Sequence, residues 1–229
     1  MDVAETIGKR KSVRAYKPES VPKTILREII ETAVRSPSWA NSQPWEFVIA
    51  GGKKVEEIRK ACEEKVMSGV MMNPDIAPPA GFPEPFDSRR RGVGRKMFEV
   101  MGIGREDKEK RMQWGLLGFK LFGAPNVIYI LTERSFHYQG ESTNEWPLFD
   151  CGLVAQNIML LATMHGLGTI PEIQAVAYPD ILRKILNIPD SKLIVLGIAI
   201  GYPDWDHQVN QLRTDRESAD GLTSWCGFE

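Results

Sequence analysis

The chain has 229 residues with 29 basic and 30 acidic side chains, and this balance gives no indication of a nucleic-acid or anionic-membrane partner. Its three cysteines lack the paired spacing of zinc sites or CxxC redox motifs, so we expect free thiols, no bound metal and a reducing compartment. A chain of this length can bury a core without disulfides or metal.

Targeting and membrane segments are not indicated. No stretch reaches the roughly 20 apolar residues of a membrane span. Residues 1–5 are acidic and lack the basic start and apolar centre of a signal peptide. The sequence therefore predicts a soluble, cytoplasmic protein without a membrane partner.

The N-terminal part of the chain is predicted to contain two helices and a strand. Residues 2–9 favour a short helix. Residues 21–35 favour a second helix, because Pro22 suits a first helical turn and apolar residues recur on one face. Large apolar residues recur over residues 45–50, which predicts a strand.

A cationic cluster lies between the two predicted helices. It places three cations and one hydroxyl within five residues, a composition that holds phosphate by charge-assisted hydrogen bonds. Its polar members are Arg10, Lys11, Ser12 and Arg14.

Residues 35–47 have neither helical nor strand periodicity and combine hydroxyls, amides, prolines and tryptophans in a shaped loop. The hydroxyls and amides suit hydrogen bonding to a planar heteroaromatic ring, and Trp39 offers a stacking face. Turn chemistry alone explains the same composition, so the loop by itself leaves both interpretations open. Together with the cationic cluster, it favours a nucleotide-like cofactor.

The segment 73–105 differs in composition from its surroundings. Its first part holds five of the 15 prolines, which prevents regular structure, and a helical stretch then extends to about residue 101. We hypothesise that the segment is an inserted lid over the cofactor that helps to select the substrate, lined by Phe82, Phe86 and Phe98. The alternative for its arginine run is a solvated helix face.

Periodicity and length assign the remaining elements. Helices are predicted over 54–72, 106–122 and 178–186, strands over 126–132 and 193–200, a new element from 169 to 173, and irregular chain over 133–147 and 204–229. The helix predicted over 148–165 is apolar on most sides but carries Asp150, Gln156 and Asn157. Such a helix fits the core of a dimer better than a bilayer.

Four blocks, in order along nearly the whole chain, carry a family resemblance. They are residues 10–16 with 36–47 (RKSVRAY and SPSWANSQPWEF), 166–172 (GLGTIPE), 196–203 (LGIAIGYP) and 210–216 (NQLRTDR). Together they closely resemble the FMN-dependent nitroreductase family. The segment 73–105 followed by the Phe-Gly-Ala-Pro run at 122–125 resembles, more weakly, its nitrobenzoate-reductase branch.

The resemblance implies an α+β fold of one domain over 1–229, with a central, mainly antiparallel sheet flanked by helices. It also implies a homodimer with FMN sites at the subunit interface, in which residues 204–229 form an arm exchanged with the partner. The implied phosphate ligands are Arg10, Lys11, Ser12, Arg213 and Arg216, and Arg14 is implied to reach either the phosphate or the ribityl chain. The implied ring contacts are Pro37, Ser38, Trp39, Asn41 and Gln43, from the partner subunit, with Pro171 and Glu172 behind the reactive edge.

The function implied by the resemblance is electron transfer from NADH or NADPH, through FMN, to nitroaromatics, quinones or related electron-poor acceptors by ping-pong kinetics. No side chain is expected to be catalytic, although a backbone N–H near Glu172 is implied to face flavin N5. Two alternatives stay open: other reduced-flavin chemistry, such as reductive dehalogenation or flavin fragmentation, and a non-catalytic flavin-holding or sensing protein.

Overall fold

A computed structural model of the chain describes residues 1–228. The helices are α1 (Val3–Lys9), α2 (Lys23–Ala33), α3 (Lys53–Met67), α4 (Phe86–Val100), α5 (Lys108–Phe119), α6 (Arg134–His137), α7 (Trp146–Met164), α8 (Pro179–Leu186) and α9 (Ala219–Leu222). The strands are β1 (Glu46–Gly51), β2 (Asn126–Glu133), β3 (Tyr138–Gln139), β4 (Ser142–Thr143), β5 (Gly168–Glu172) and β6 (Lys192–Gly201).

The central sheet has the order β1-β2-β6-β5, and each neighbouring pair is antiparallel. The strands β2 and β6 are the most apolar in the sequence, and they occupy the two central positions, where both faces of a strand are covered. The predicted antiparallel sheet flanked by helices is confirmed.

The sheet is covered by a helical layer on each face. On one face, Ile128 and Ile198 pack in a cluster with α2 and α7. On the other face, Tyr129 and Ala199 pack in a cluster with α3 and α8. Alternate residues of one strand thus enter different cores, as the two-residue period of a strand requires.

Several boundaries differ from the sequence-based expectation because of local turns. The helix predicted to reach residue 72 ends at Met67, and Gly69 then takes a left-handed φ of 72°. The helix predicted to reach residue 122 ends at Phe119, since Leu121 and Phe122 have positive φ. Residues 133–147, predicted to be irregular, contain α6 and the small β3–β4 hairpin.

The start of the proline-rich segment is fixed to the body of the protein. The Asp75 carboxylate accepts a hydrogen bond from the Ile194 backbone N–H at 2.8 Å and pairs with Arg134 at 2.9 Å and Arg183 at 2.8 Å. No regular element occurs within 73–85, as predicted, and α4 then begins at Phe86. Any movement of the predicted lid would therefore involve residues after Asp75.

Candidate active site

A cavity of about 550 Å³ lies where the chain segment after α1 meets the C-terminal tail. It is lined by Ile7, Gly8, Arg10, Lys11, Ser12, Arg14, Gln156, Leu212, Arg213, Thr214 and Arg216. The predicted phosphate ligands from the two ends of the sequence are thus brought together in one cavity. A set of arginines with a hydroxyl and a lysine suits a phosphate group.

The first wall of the cavity is built by the cationic cluster, and β5 fixes its position. The helix α1 ends at Lys9, and the Arg10 N–H still donates to the Thr6 carbonyl at 2.9 Å. Ser12 forms a bridge with Thr169 of β5, and the Val13 N–H donates to the Thr169 carbonyl at 3.0 Å. The cluster therefore continues the sheet edge by a short parallel contact.

The second wall is the tail, and Asn210 attaches it to the first. The Asn210 side chain is fully buried, and its carbonyl oxygen accepts the Arg14 backbone N–H at 2.8 Å. Its amide donates to the carbonyls of Ala15 at 2.8 Å and Asp204 at 2.7 Å. The Lys11 ammonium donates to the Asn210 backbone carbonyl. These bonds place the following residues, including Arg213, opposite the cationic cluster.

The cavity is electropositive, and its cations affect one another. Burial lowers the pKa of Arg10, and the nearby Arg216 lowers it further. Burial and then Arg213 lower the pKa of Lys11. Burial also lowers the pKa of Arg14. Crowded, partly desolvated cations destabilise one another, so an anion bound among them would relieve this repulsion.

The loop predicted to bind a ring lies against α7 rather than in the cavity of its own protomer. The Trp39 N–H donates to the buried Asp150 carboxylate at 3.1 Å, and the rings of Trp39 and Trp146 are 4.7 Å apart. The Gln43 N–H donates to Ser38 Oγ at 3.0 Å. The loop is thus closed on itself and anchored to α7.

The backbone of this loop is strained. Ala40, Asn41 and Gln43 have φ values of 48°, 58° and 47°, in the left-handed region that non-glycine residues rarely occupy. Each such residue costs roughly 1–3 kcal/mol, and strained residues of this kind cluster at ligand sites. The strain and the half-exposed Trp39 ring support a binding role for the loop.

Glu172, at the end of β5, has a buried carboxyl group on the sheet face that carries Tyr129. Within residues 1–228, no group donates a hydrogen bond to either Glu172 carboxyl oxygen, and the Tyr129 hydroxyl is likewise without a partner. Burial raises the pKa of Glu172 to about 8, although Arg14 opposes the shift. Burial without a hydrogen-bond donor therefore disfavours the ionised form of this carboxyl group.

Gly197 allows the approach of Tyr129 toward this group. In the sheet, Gly197 pairs with Tyr129 on one side and Glu172 on the other. A Cβ on Gly197 would lie 3.4 Å from Tyr129 Cε1 and 2.4 Å from the Ala175 Cβ, so no larger residue fits. The Tyr129 ring can thus lie across the central strand.

Comparison with known proteins shows the family of the chain. The model of the Nitroreductase family matches residues 7–202. The chain belongs to the nitroreductase family. One relative of this nitroreductase is a 4-nitrobenzoate reductase from Pseudomonas putida, 30% identical over 233 residues that cover 100% of this chain and 97% of that protein.

Two solved structures are similar to this chain over all or nearly all of its length. The FMN and NADPH-dependent nitroreductase NfnB from sphigopyxis sp. strain HMH superposes with a TM-score of 0.92 at 30% identity, covering 100% of both chains. NfnB from Mycobacterium smegmatis, in complex with NADPH, gives a TM-score of 0.89 at 25% identity, covering 98% of this chain and 100% of that one. The nitroreductase-like fold predicted from the sequence is confirmed.

The predicted site residues occupy three separate places within one protomer. The phosphate set lines the cavity, the loop around Trp39 borders α7, and Pro171 and Glu172 lie at the end of β5. The donor set of the cavity fits the phosphate of FMN.

Three polar residues at the site were not predicted to be site residues. Asn210 joins the tail to the cationic cluster, Asp150 holds the loop, and Gln156 lines the cavity. Asp150 and Gln156 carried a usable signal, because a polar side chain in an otherwise apolar helix needs a partner. Asn210 carried a weaker one, since asparagine is common in polar turns.

The three aromatic residues of the proposed lid lie on α4 or beside it, and none of them lines the 550 Å³ cavity. Phe82 and Phe86 are about half exposed, with guanidinium groups 5.5 and 5.6 Å from their ring centres. The Arg111 guanidinium lies 3.9 Å from the centre of the Phe98 ring.

Proposed function

We propose that this protein reduces nitroaromatics, quinones or related electron-poor acceptors, with NAD(P)H as donor and FMN as cofactor, in a ping-pong cycle. The observation that carries the proposal is the electropositive cavity, built by the family's phosphate-binding blocks in a fold that matches FMN and NADPH-dependent nitroreductases end to end. When bound, FMN supplies the hydride and electron transfer, and the protein supplies position and electrostatics.

The roles of the protein follow from the positions of its residues. The phosphate set, Arg10, Lys11, Ser12, Arg14, Arg213 and Arg216, would hold the FMN phosphate by charge-assisted hydrogen bonds. The loop contributes Pro37, Ser38, Trp39, Asn41 and Gln43 to the ring site of the partner, while Pro171 and Glu172 lie behind the ring edge. Protons for the acceptor come from solvent or the flavin, so no catalytic side chain is assigned.

We infer that the protein is a homodimer, because α7 presents an apolar stripe to solvent. Trp146 and Phe149 lie one turn apart and are 49% and 60% exposed, and Met164, near the end of the same side of the helix, is 52% exposed. The exposed Val3 and Ile7 of α1 extend the stripe. A second copy seated here in two-fold symmetry would lie beside the cavity and would bring its own loop to it.

The tail is consistent with an exchanged arm. Residues 217–228 are exposed throughout, and they include the apolar side chains of Trp225 and Phe228 at 67% and 76% exposure. Such side chains would be covered by a partner subunit. The arm proposed over 204–229 includes Glu229, which lies outside the described residues. We also propose that the protein is soluble and cytoplasmic, with α7 as a dimer-core helix.

Anaerobic stopped-flow absorbance tests the proposed activity. The oxidised flavin bands of the holoenzyme are expected to bleach on mixing with NADH or NADPH, and to recover on mixing with 4-nitrobenzoate or a quinone after the donor is consumed. Repeated cycles with one enzyme sample would distinguish turnover from a single discharge. A yellow protein that neither donor reduces would contradict the proposal and favour a flavin-holding role.

Replacing Phe149 with glutamate tests the dimer. Two-fold symmetry would place two unpaired carboxylates in the interface, so the dimer dissociation constant is expected to rise by roughly 100-fold or more. Sedimentation velocity measures the assembly, and the absorbance ratio at 450 and 280 nm measures retained FMN. Met112→Glu, at an exposed apolar position on α5, is the matched control and should leave a yellow dimer. A dimeric, flavin-loaded Phe149→Glu variant would exclude this interface.

A further inference from the structure

A second cavity, of about 670 Å³, forms a groove between α4 and the tail. It is lined by Arg89, Arg90, Gly92, Val93, Arg95, Lys96, Thr214, Asp215, Arg216, Glu217 and Leu222. Thr214 and Arg216 also line the 550 Å³ cavity. The groove therefore adjoins the proposed cofactor site at its phosphate end.

Two ion pairs join the sides of the groove. Arg89 Nε lies 2.9 Å from the Glu217 carboxylate, and Lys96 pairs with Asp215. These contacts are exposed, and α4 buries none of its residues, so each ion pair contributes little to holding α4 against the tail. The pairs also neutralise the acidic side chains of the tail segment that line the groove.

Two arginines of the groove remain without a carboxylate. In the described part of the chain, neither Arg95 nor Arg216 has an acidic side chain within 4.0 Å, whereas the neighbouring Arg90 and Arg91 pair with Asp87. The Arg216 guanidinium donates to Thr214 Oγ1 at 2.8 Å and to the Asp215 carbonyl at 2.8 Å, which orients it. Uncompensated arginines suit a phosphomonoester or a carboxylate.

We propose that this groove binds the 2′-phosphate of NADPH, with Arg95 as its partner, while Arg216 on the shared wall holds the FMN phosphate. The assignment rests on the proposed function and selects NADPH over NADH as the donor. Its basis is that the groove shares Thr214 and Arg216 with the phosphate end of the proposed cofactor site, whereas no residue of β5 or of the Trp39 loop lines it. An extended dinucleotide is long enough to reach well beyond a ring site, whereas the carboxylate of a small aromatic acid lies only one ring away from its nitro group.

Titration calorimetry on the FMN-loaded protein, with adenosine 2′,5′-bisphosphate and 5′-AMP as redox-inactive probes, tests the assignment. The bisphosphate is expected to bind at least about 10-fold more tightly than 5′-AMP, as one or more charge-assisted hydrogen bonds imply. Arg95→Gln should remove this preference and raise the KM for NADPH by a similar factor, with kcat and the KM for NADH unchanged. Arg91→Gln is the matched control on the same helix, since Arg91 pairs with Glu84 at 2.7 Å.

Equal affinity of the wild-type protein for the two nucleotides would overturn the assignment. A second result would also overturn it: Arg95→Gln leaves nucleotide binding intact, raises the KM for 4-nitrobenzoate and leaves the KM for the neutral 4-nitrobenzamide unchanged. That result would place the carboxylate of the acceptor in the groove. The calorimetric result does not depend on turnover. It therefore tests nucleotide binding in the groove even if neither donor reduces the flavin. Failure of both donors to reduce the flavin would contradict the proposed function, not the groove assignment.

Discussion

A double variant in which both Arg10 and Arg213 are replaced by glutamine is expected to bind FMN roughly 10²–10⁴-fold more weakly. Each replacement removes a charge-assisted hydrogen bond worth roughly 1.5–3 kcal/mol. The two residues lie on different walls of the cavity, one after α1 and one in the tail. Quenching of FMN fluorescence on titration with apoprotein measures the dissociation constant. The purified variant should also be colourless after dialysis.

The stability of the apoprotein separates a loss of binding from a loss of folding. Burial and the charge of Arg216 both disfavour the Arg10 cation, so removing that cation should not lower the free energy of unfolding measured in urea without FMN. Lys9→Gln is the matched control, since Lys9 is exposed and pairs with Glu5 outside the cavity. A double variant that kept FMN as tightly as the wild type would exclude this cavity as the phosphate site.

Glu172→Gln is expected to stabilise the protein progressively as the pH rises. The pKa of the Glu172 carboxyl is about 8 in the folded protein, against 4.5 for the unperturbed group. Between these values the native state holds a proton that the unfolded state has lost, so the free energy of unfolding falls with rising pH. The expected slope reaches about 1.4 kcal/mol per pH unit midway between the two pKa values, and the total is roughly 3–4 kcal/mol between pH 5 and pH 8.

Urea unfolding of wild type and variant across pH 5–9 measures this effect as a difference, in which titrations common to both proteins cancel. Above pH 8 the difference should level off. The groups that face the carboxyl are Arg14, which favours its ionisation, and Tyr16 and Tyr129, whose pKa values are themselves raised by burial. Glu31→Gln, at an exposed position on α2, should follow the wild type at every pH. A pH-independent difference for Glu172→Gln would show that the carboxyl is ionised in the folded state.

The sequence predicts those parts of the fold and site that depend on local pattern. The apolar runs of β2 and β6 identify the central strands, and the cationic cluster, chosen by composition alone, lines one wall of the electropositive cavity. Helix ends were less predictable, because the positive φ values at Leu121 and Phe122 follow from tertiary packing of residues that do not favour them.

Features that depend on assembly of distant segments were not predictable in the same way. The buried, unpaired carboxyl of Glu172 follows from its position beside Gly197 and Tyr129, which only the strand register determines. The groove between α4 and the tail requires two segments that are far apart in the sequence. Arg213 was predicted only through the family resemblance, because the composition around a surface arginine in a polar tail does not distinguish it from other arginines.

The hydrogen bond from Lys11 to Asn210 joins residues 199 positions apart, and it has a consequence for synthesis on the ribosome. The cationic cluster emerges early, but its opposite wall does not exist until Arg213 has left the exit tunnel. Contacts of such large sequence separation form late in folding, since the intervening chain must first be closed into a loop. On the proposed function, a nascent chain lacks a complete phosphate site until this region is translated, so FMN loading is expected to follow translation.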